Sequence, residues 1–287
     1  MGQFLISGLA TGSSYALVAV ALVLVWKATG VLNFAQAEIG LFGAFVAWFA
    51  IESTGANYYV AVVGGMIAAA VLAMVLERAV VRPIMGESHF AMLIMTIGLY
   101  VTVNSLTTLI WGSAGQTIPS PLHGTLHLGP TLVADVNQIA AIVVGAALTL
   151  GLTVFFRSRW GVQMRAIAED RVTPRLLGVS MGRVVAASWA LGALLATVAL
   201  LFQTQATLLN NTAAADLIVK ATVAATIGGF ASVSGAYFGG LALGVVETLA
   251  GGYISSGDQS AVALVLVVLI LLVRPEGIFT RGRARQV

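Results

Sequence analysis

A chain of 287 residues that is 59% hydrophobic and only 9% charged, with a mean hydropathy of +0.99, is not a soluble globular domain, whose charged share is about 25%. Zero cysteines exclude disulfides, thiolate metal sites and thiol redox chemistry, and three histidines (His89, His123, His127) without a nearby third ligand give no metal site. The net charge of +3 comes from arginines gathered at a few links between apolar runs, a pattern of membrane topology rather than of nucleic-acid binding.

The apolar runs are long and uninterrupted, which demands helices, because a barrel would show alternation in segments of about ten residues. The expected fold is therefore an all-α, polytopic transmembrane bundle forming one membrane-embedded domain over residues 1–287. About nine spans, in a range of eight to ten, are expected: Gln3–Trp26, Ala35–Ile51, Tyr58–Glu77, Phe90–Trp111, Val136–Phe156, Val184–Leu208, Leu217–Phe230, Gly235–Gly251 and Ser260–Val273. The first run lacks a basic leader and is too long for a signal-peptide core, so it reads as a span. Arg78 and Arg82, the arginines between 157 and 183, and Arg274, Arg281, Arg283 and Arg285 all fall on one side of this nine-span arrangement. The loops 111–135, 210–216 and 251–259 carry no Lys or Arg. The positive-inside rule then puts the N-terminus outside and the C-terminus in the cytoplasm.

Six of the chain's 14 basic residues lie between Arg157 and Arg183. Within that cytoplasmic loop, Val162 to Asp170 has the composition of a short surface helix, with Val162, Met164, Ala166 and Ile167 as apolar positions and Arg165, Glu169 and Asp170 as polar ones. A second apolar knob, Leu176-Leu177-Gly178-Val179, follows Thr173-Pro174. Two readings stand: a solvated loop that only fixes topology, or a helix that docks on a cytoplasmic partner.

Two stretches break the smooth pattern of spans. One is Gly30 to Gly40, where Asn33, Gln36 and Glu38 interrupt apolar sequence; the other is the glycine-rich run from Lys220 to Gly240. One lies in each half of the chain, as an internal repeat with broken helices at a central pathway would place them. Gly8/Gly12, Gly235/Gly239 and Gly240/Gly244 have the four-residue spacing that lets helices pack closely. Glu38, Lys220 and Glu247 are ionisable groups inside spans and each needs a partner or a wet surface. Asp216 and Lys220, four apart, can pair on one helical face; Lys27 can snorkel from a span end; Asn104, Gln203 and Gln205 can line a polar route or tie helix to helix.

No nucleophile elbow, zinc-protease motif or dinucleotide fingerprint occurs, and neither Lys27 nor Lys220 belongs to a P-loop, so no catalytic residue and no cofactor is expected. If transport here runs on ATP, another chain hydrolyses it.

Several motifs resemble one family. They are Gly8-Leu-Ala-Thr-Gly12-Ser-Ser-Tyr15, Thr29-Gly30-Val-Leu-Asn33-Phe34-Ala35, Glu77-Arg78 with Arg82-Pro83, and Gly161-x-x-x-Arg165-Ala166-x-x-Glu169-Asp170 with Leu177-Gly178-Val179. The series continues with Gly228-Gly229, Gly235-Ala236, Gly239-Gly240, Gly244 and Glu247, then Arg274-Pro275-Glu276-Gly277. In order and over essentially the whole chain they resemble the permease subunits of ATP-binding cassette importers for branched-chain amino acids. Gln36-Ala37 departs from the His-Gly of many members, as does Lys27, which bears on the exact solute.

The resemblance implies a bacterial inner-membrane permease working with a related second permease, two cytoplasmic ATPase subunits and an extracytoplasmic solute-binding protein, in contact with membrane lipid and with no nucleic acid. It implies ATPase coupling through Gly161, Arg165, Ala166, Glu169, Asp170, Leu176, Leu177 and Gly178, and a solute route that involves Asn33, Gln36, Glu38, Asn104, Gln203, Lys220 and Glu247. Cargo could instead be urea, a short amide or an aromatic acid. From outside the family, a stand-alone channel or ion-coupled transporter would use Glu38, Lys220 and Glu247 as its coupling site.

Overall fold

The computed structural model describes residues 1–127, 133–169, 180–230 and 232–253, with the single positions 261, 265 and 272. Apart from those three positions, the expected ninth span, 260–273, and the arginines after it lie outside the described residues, as do Asp170, Leu176, Leu177 and Gly178.

Local signals set the helix ends. Helix α1 (Gly2–Thr29) stops at Gly30, whose φ of 70° lets its N–H reach the carbonyl of Trp26. Helix α2 (Gln36–Thr54) stops at Gly55 in the same left-handed way. Asn57 caps α3 (Tyr58–Leu76), which runs on through a π-helical segment, Glu77–Val81, and a last short turn, Arg82–Ile84. Ser88 caps α4 (His89–Trp111). Asp135 and Gln138 form a capping box on α5 (Val136–Phe155), which leads to the short α6 (Arg159–Glu169). Then come α7 (Met181–Gln203), α8 (Asn211–Gly228), capped by Asn210, and α9 (Val233–Tyr253). Between α4 and α5 lies a small antiparallel pair, β1 (Thr125–His127) and β2 (Val133–Asp135).

Among the described residues seven helices are long and apolar enough to cross a membrane: α1, α2, α3 with its extension, α4, α5, α7 and α9. The polytopic all-α bundle expected from the sequence is therefore present. Three boundaries differ from expectation by more than three residues, the first being the third span, which runs on to Ile84 rather than ending at Glu77. The sixth span ends at Gln203 rather than Leu208, because Leu209 leaves the helix to bridge Gln116. The helix at the expected seventh span, α8, starts at Asn211 rather than Leu217, because the Asn210 side chain accepts from the N–H of Ala213 and starts the turn earlier, and it is not among the seven helices long and apolar enough to cross.

Helices α1 and α7 form the centre, packed against each other. Each is followed by a hairpin that packs on the other central helix: α2 and α3 pair and lie on α7, while α8 and α9 pair and lie on α1. This exchange is how two interlocked repeats would arrange themselves. Small residues allow the close crossings. A Cβ at Gly240 of α9 would stand 2.4 Å from the Cα of Ala16 in α1, so backbone meets backbone there. The four-residue glycine pairs of the sequence thus do pack helices. Helix α4 rests on α2, and α5 on α1.

Candidate functional site

The polar residues expected along a route do not form one cluster; the structure sorts them into separate groups. In the loop between α1 and α2, Asn33 Nδ2 donates to Gln36 Oε1 at 3.0 Å and Asn33 Oδ1 accepts from the Ala35 N–H at 3.1 Å, which folds the loop into a tight turn. Both side chains are buried, Gln36 lies against Gly192 of α7, and its Nε2 has no hydrogen-bond partner.

One turn into α2, the buried Glu38 accepts from Asn104 Nδ2 of α4 at 3.3 Å, while its other oxygen has no partner. Asn104 therefore ties helix to helix. One turn on, Thr108 of α4 accepts from the Asn211 side chain of α8. A carboxylate with an unmatched oxygen in a low-dielectric interior costs several kcal/mol, so α2 and α4 are held around an expensive group.

The third group is charged. Lys220 of α8 places its Nζ 2.7 Å from Glu247 of α9, 3.0 Å from Asp216 one turn away, and 3.1 Å from the Tyr15 hydroxyl of α1. The pairing expected between Asp216 and Lys220 exists, but it is one of three contacts. One ammonium is thus shared among two carboxylates and a hydroxyl from three helices. Tyr15 was not among the expected site residues; its place in a small-residue run of α1 gave no hint that it faces a lysine 205 positions away.

Gln203 stands apart. With Gln205, Ser7, Thr11, Ser14 and Gln138 it lines a cavity of about 310 Å³ at the end of the bundle where α1 and α5 begin and α7 ends.

At the opposite, arginine-rich end, α6 packs on α1 and α7. Met164 and Ile167 are buried, and Ser188 of α7 sits against the Met164 sulfur. Val162, one of the expected apolar positions, is exposed, as are Trp160 and Arg165, and Ala166 is half-buried. The side chains of Ala168 and Glu169 lie outside the described residues. Gly161 makes the corner, since a Cβ there would stand 2.3 Å from the Cα of Phe156. Lys27 places its ammonium 5.6 Å from the ring centre of Phe156.

A further contact went unseen in the sequence. Arg82 grips the buried Glu77 with two bonds, Nε to Oε1 at 3.1 Å and Nη2 to Oε2 at 2.9 Å, and Nη2 also donates to the Gly182 carbonyl at 3.1 Å. Residues five apart diverge on an α-helix. Here the π-helical segment brings them together and fastens the end of α3 to the start of α7.

Residues 4–273 match the profile of the branched-chain amino acid transport system / permease component family. The chain belongs to this family. It is 33% identical over 299 residues to the high-affinity branched-chain amino acid transport system permease protein BraD of Pseudomonas aeruginosa, covering 99% of this chain and 97% of that one. It is likewise 33% identical to LivH of Escherichia coli K12, with the same coverage, and 24% identical to a probable LivH of Methanocaldococcus jannaschii over 91% and 87% of the two chains. Among solved structures, PsaBC from Streptococcus pneumoniae in complex with Fab shares the fold, with a TM-score of 0.53 at 16% identity over 95% of this chain and 92% of that chain. This permease is thus a multi-pass membrane protein of a family of transport subunits, and the resemblance seen in the sequence holds over the whole chain.

Proposed function

We propose that this permease is the membrane-spanning subunit of an ATP-binding cassette importer in a bacterial inner membrane and forms, with a related second permease, the route for branched-chain amino acids or a similar small polar solute. The full-length relation to BraD and LivH carries the reading. Two cytoplasmic ATPase subunits supply the energy and an extracytoplasmic solute-binding protein delivers the cargo. The arginine-rich end faces the cytoplasm and the N-terminus lies outside.

Helix α6 is the coupling element. Its buried Met164 and Ile167 seat it on α1 and α7, and the exposed Trp160, Val162 and Arg165 are left for a groove of the ATPase. Glu169, Asp170, Leu176, Leu177 and Gly178 complete the docking loop over 157–183. Closure of the two ATPases on ATP would press the loops of the two permeases together and drive alternation of the solute route.

The test is co-purification of the tagged chain from membranes in mild detergent, followed by mass spectrometry. Two ATPase chains and a second permease are expected; recovery of this chain alone, with solute uptake after reconstitution, would make it an ion-coupled carrier. Val162→Asp and Leu177→Asp should leave the chain inserted but strip the ATPases from it. Gln36→Trp, beside Gly192, should cut uptake without loss of ATPase association.

A further inference from the structure

The docking loop, 157–183, is anchored near both of its ends. On the near side, α6 is seated on α1 and α7 by the buried Met164 and Ile167. On the far side the loop runs into the first turn of α7, at Met181 and Gly182. There the Gly182 carbonyl accepts from Arg82 Nη2 at 3.1 Å, a bond between residues 100 positions apart.

The arginine that makes this bond is not free to swing. Glu77 is fully buried, and its two oxygens accept from Nε and Nη2 of Arg82, so a two-point contact fixes the guanidinium plane. Residues five apart stand about 140° apart on an α-helix. The π-helical turn Glu77–Val81 brings them to one side and so presents the guanidinium to α7. Its seat there is a glycine, because a Cβ at 182 would stand 2.9 Å from Cζ and 3.0 Å from both Nη atoms. A π-helical turn, a buried carboxylate and a glycine together make a stiff contact where a surface arginine would make a loose one.

The contact lies between the two parts that an ATPase-driven cycle has to connect. Helix α3 lies on α7, and helices held by packing alone can slide along each other. Arg82 removes that freedom at the cytoplasmic end, where it ties the extension of α3 to the last residues of the docking loop. From there a displacement reaches α2. Helices α2 and α3 cross backbone to backbone, since a Cβ at Gly65 would stand 2.3 Å from the Gly43 carbonyl, and α2 opens on the buried turn from Asn33 to Gln36. We infer that Arg82, held by Glu77 and seated on Gly182, is a positioning residue that passes movement of the docking loop to the α2–α3 hairpin. The inference rests on the ATPase-coupled reading above and adds the path by which coupling leaves the loop.

A clamp that only braces the fold and one that transmits movement part company when stability is restored without the contact. Arg82→Met with Glu77→Gln leaves no unpaired carboxylate and no donor for the Gly182 carbonyl. Gly182→Ala keeps the Arg82 to Glu77 pair and forces guanidinium and carbonyl apart, whichever of them yields. Each variant is assembled with its partner chains and reconstituted in proteoliposomes, and three quantities are read: the melting temperature, the ATPase chains retained, and the leucine taken up per ATP hydrolysed. The double variant should melt above Arg82→Met alone. Both it and Gly182→Ala should retain the ATPase chains, and in both the uptake per ATP should fall about fivefold.

Uptake per ATP that follows the melting temperature, falling in Arg82→Met and returning in the double variant, makes the clamp a brace and overturns the inference. An unchanged ratio in Gly182→Ala overturns it as well, and so does loss of the ATPase chains from either variant, which would make the clamp part of docking. These outcomes leave the importer reading in place when the parent complex works. A parent complex that retains no ATPase chains, or that hydrolyses ATP and takes up no leucine, removes the reading on which the inference rests, and the inference with it.

Discussion

Helices α1 and α3 are nearly the same length, 28 residues against 27 for α3 with its extension, and α3 is the more apolar of the two. Yet 89% of the apolar window of α1 is buried inside the bundle and only 22% of that of α3. In water the oilier helix would be the inner one. In a bilayer the outside is as apolar as the inside, so burial follows side-chain size and shape rather than hydropathy. Helix α1 carries Gly8, Gly12, Ser13, Ser14 and several alanines, which let α9 and α7 approach its backbone; α3 carries Val60, Val63, Ile67, Val71 and Val75 on a face that none of the described residues covers.

The comparison breaks most visibly at the glycines of the inner helix crossings. Gly240→Leu drives a side chain into Ala16, where a Cβ alone would stand 2.4 Å from backbone, and Gly65→Ala meets the Gly43 carbonyl at 2.3 Å. Overpacking of this kind costs ~3 kcal/mol or more, because backbone rather than a flexible side chain must yield. Both variants should give little monodisperse protein in mild detergent, with Gly240→Leu the worse. Normal yield and an unchanged melting temperature for Gly240→Leu would mean that α1 and α9 do not cross this closely in the membrane.

The next effect tests the outer helix at the charged clamp that joins its end to α7. Arg82→Gln leaves the buried Glu77 without a cation and the Gly182 carbonyl without its donor. Loss of a fully buried pair costs 3–5 kcal/mol, but the Arg82 side chain is 38% exposed and water replaces part of what is lost, so about 1–3 kcal/mol is expected. The double variant Arg82→Gln with Glu77→Gln should recover part of that loss, since no unpaired carboxylate then remains. A melting temperature within a degree of the parent for the single variant would show that α3 holds to α7 without the clamp.

How much of this was legible beforehand follows from the same physics. Helices with strong end signals were placed to within a residue or two: α4 between Ser88 and Gly112, α5 from its Asp135 cap. The intramembrane charges Glu38, Lys220 and Glu247 stood out because ionisable groups are rare in spans, and Lys220 and Glu247 do meet. What stayed hidden depends on contacts between distant segments. Tyr15 gave no sign of its lysine, and Asn104 could be a liner or a tie until Glu38 was found beside it. The Glu77 to Arg82 clamp was masked because its five-residue spacing joins only across a π-helical turn, which local composition does not announce. The sorting of spans into inner and outer was legible only through small residues, and hydropathy alone would have inverted it.

The smallest effect bears on what lies against α3. Gly64 and Gly65 are neighbours in sequence, but a Cβ at Gly64 has nothing within 4 Å, whereas one at Gly65 collides. If the outer face of α3 meets lipid, Gly64→Ala is neutral or stabilises by about 0.5–1 kcal/mol, because alanine loses less backbone entropy than glycine on entering a helix. The check is the melting temperature of the chain alone and of its assembled complex, measured side by side. An equal or raised value in both leaves the face to lipid. A fall confined to the complex would mean that a second permease seats its own backbone at Gly64, in which case the apolar face is an interface and the contrast between α1 and α3 ends at the edge of a single chain.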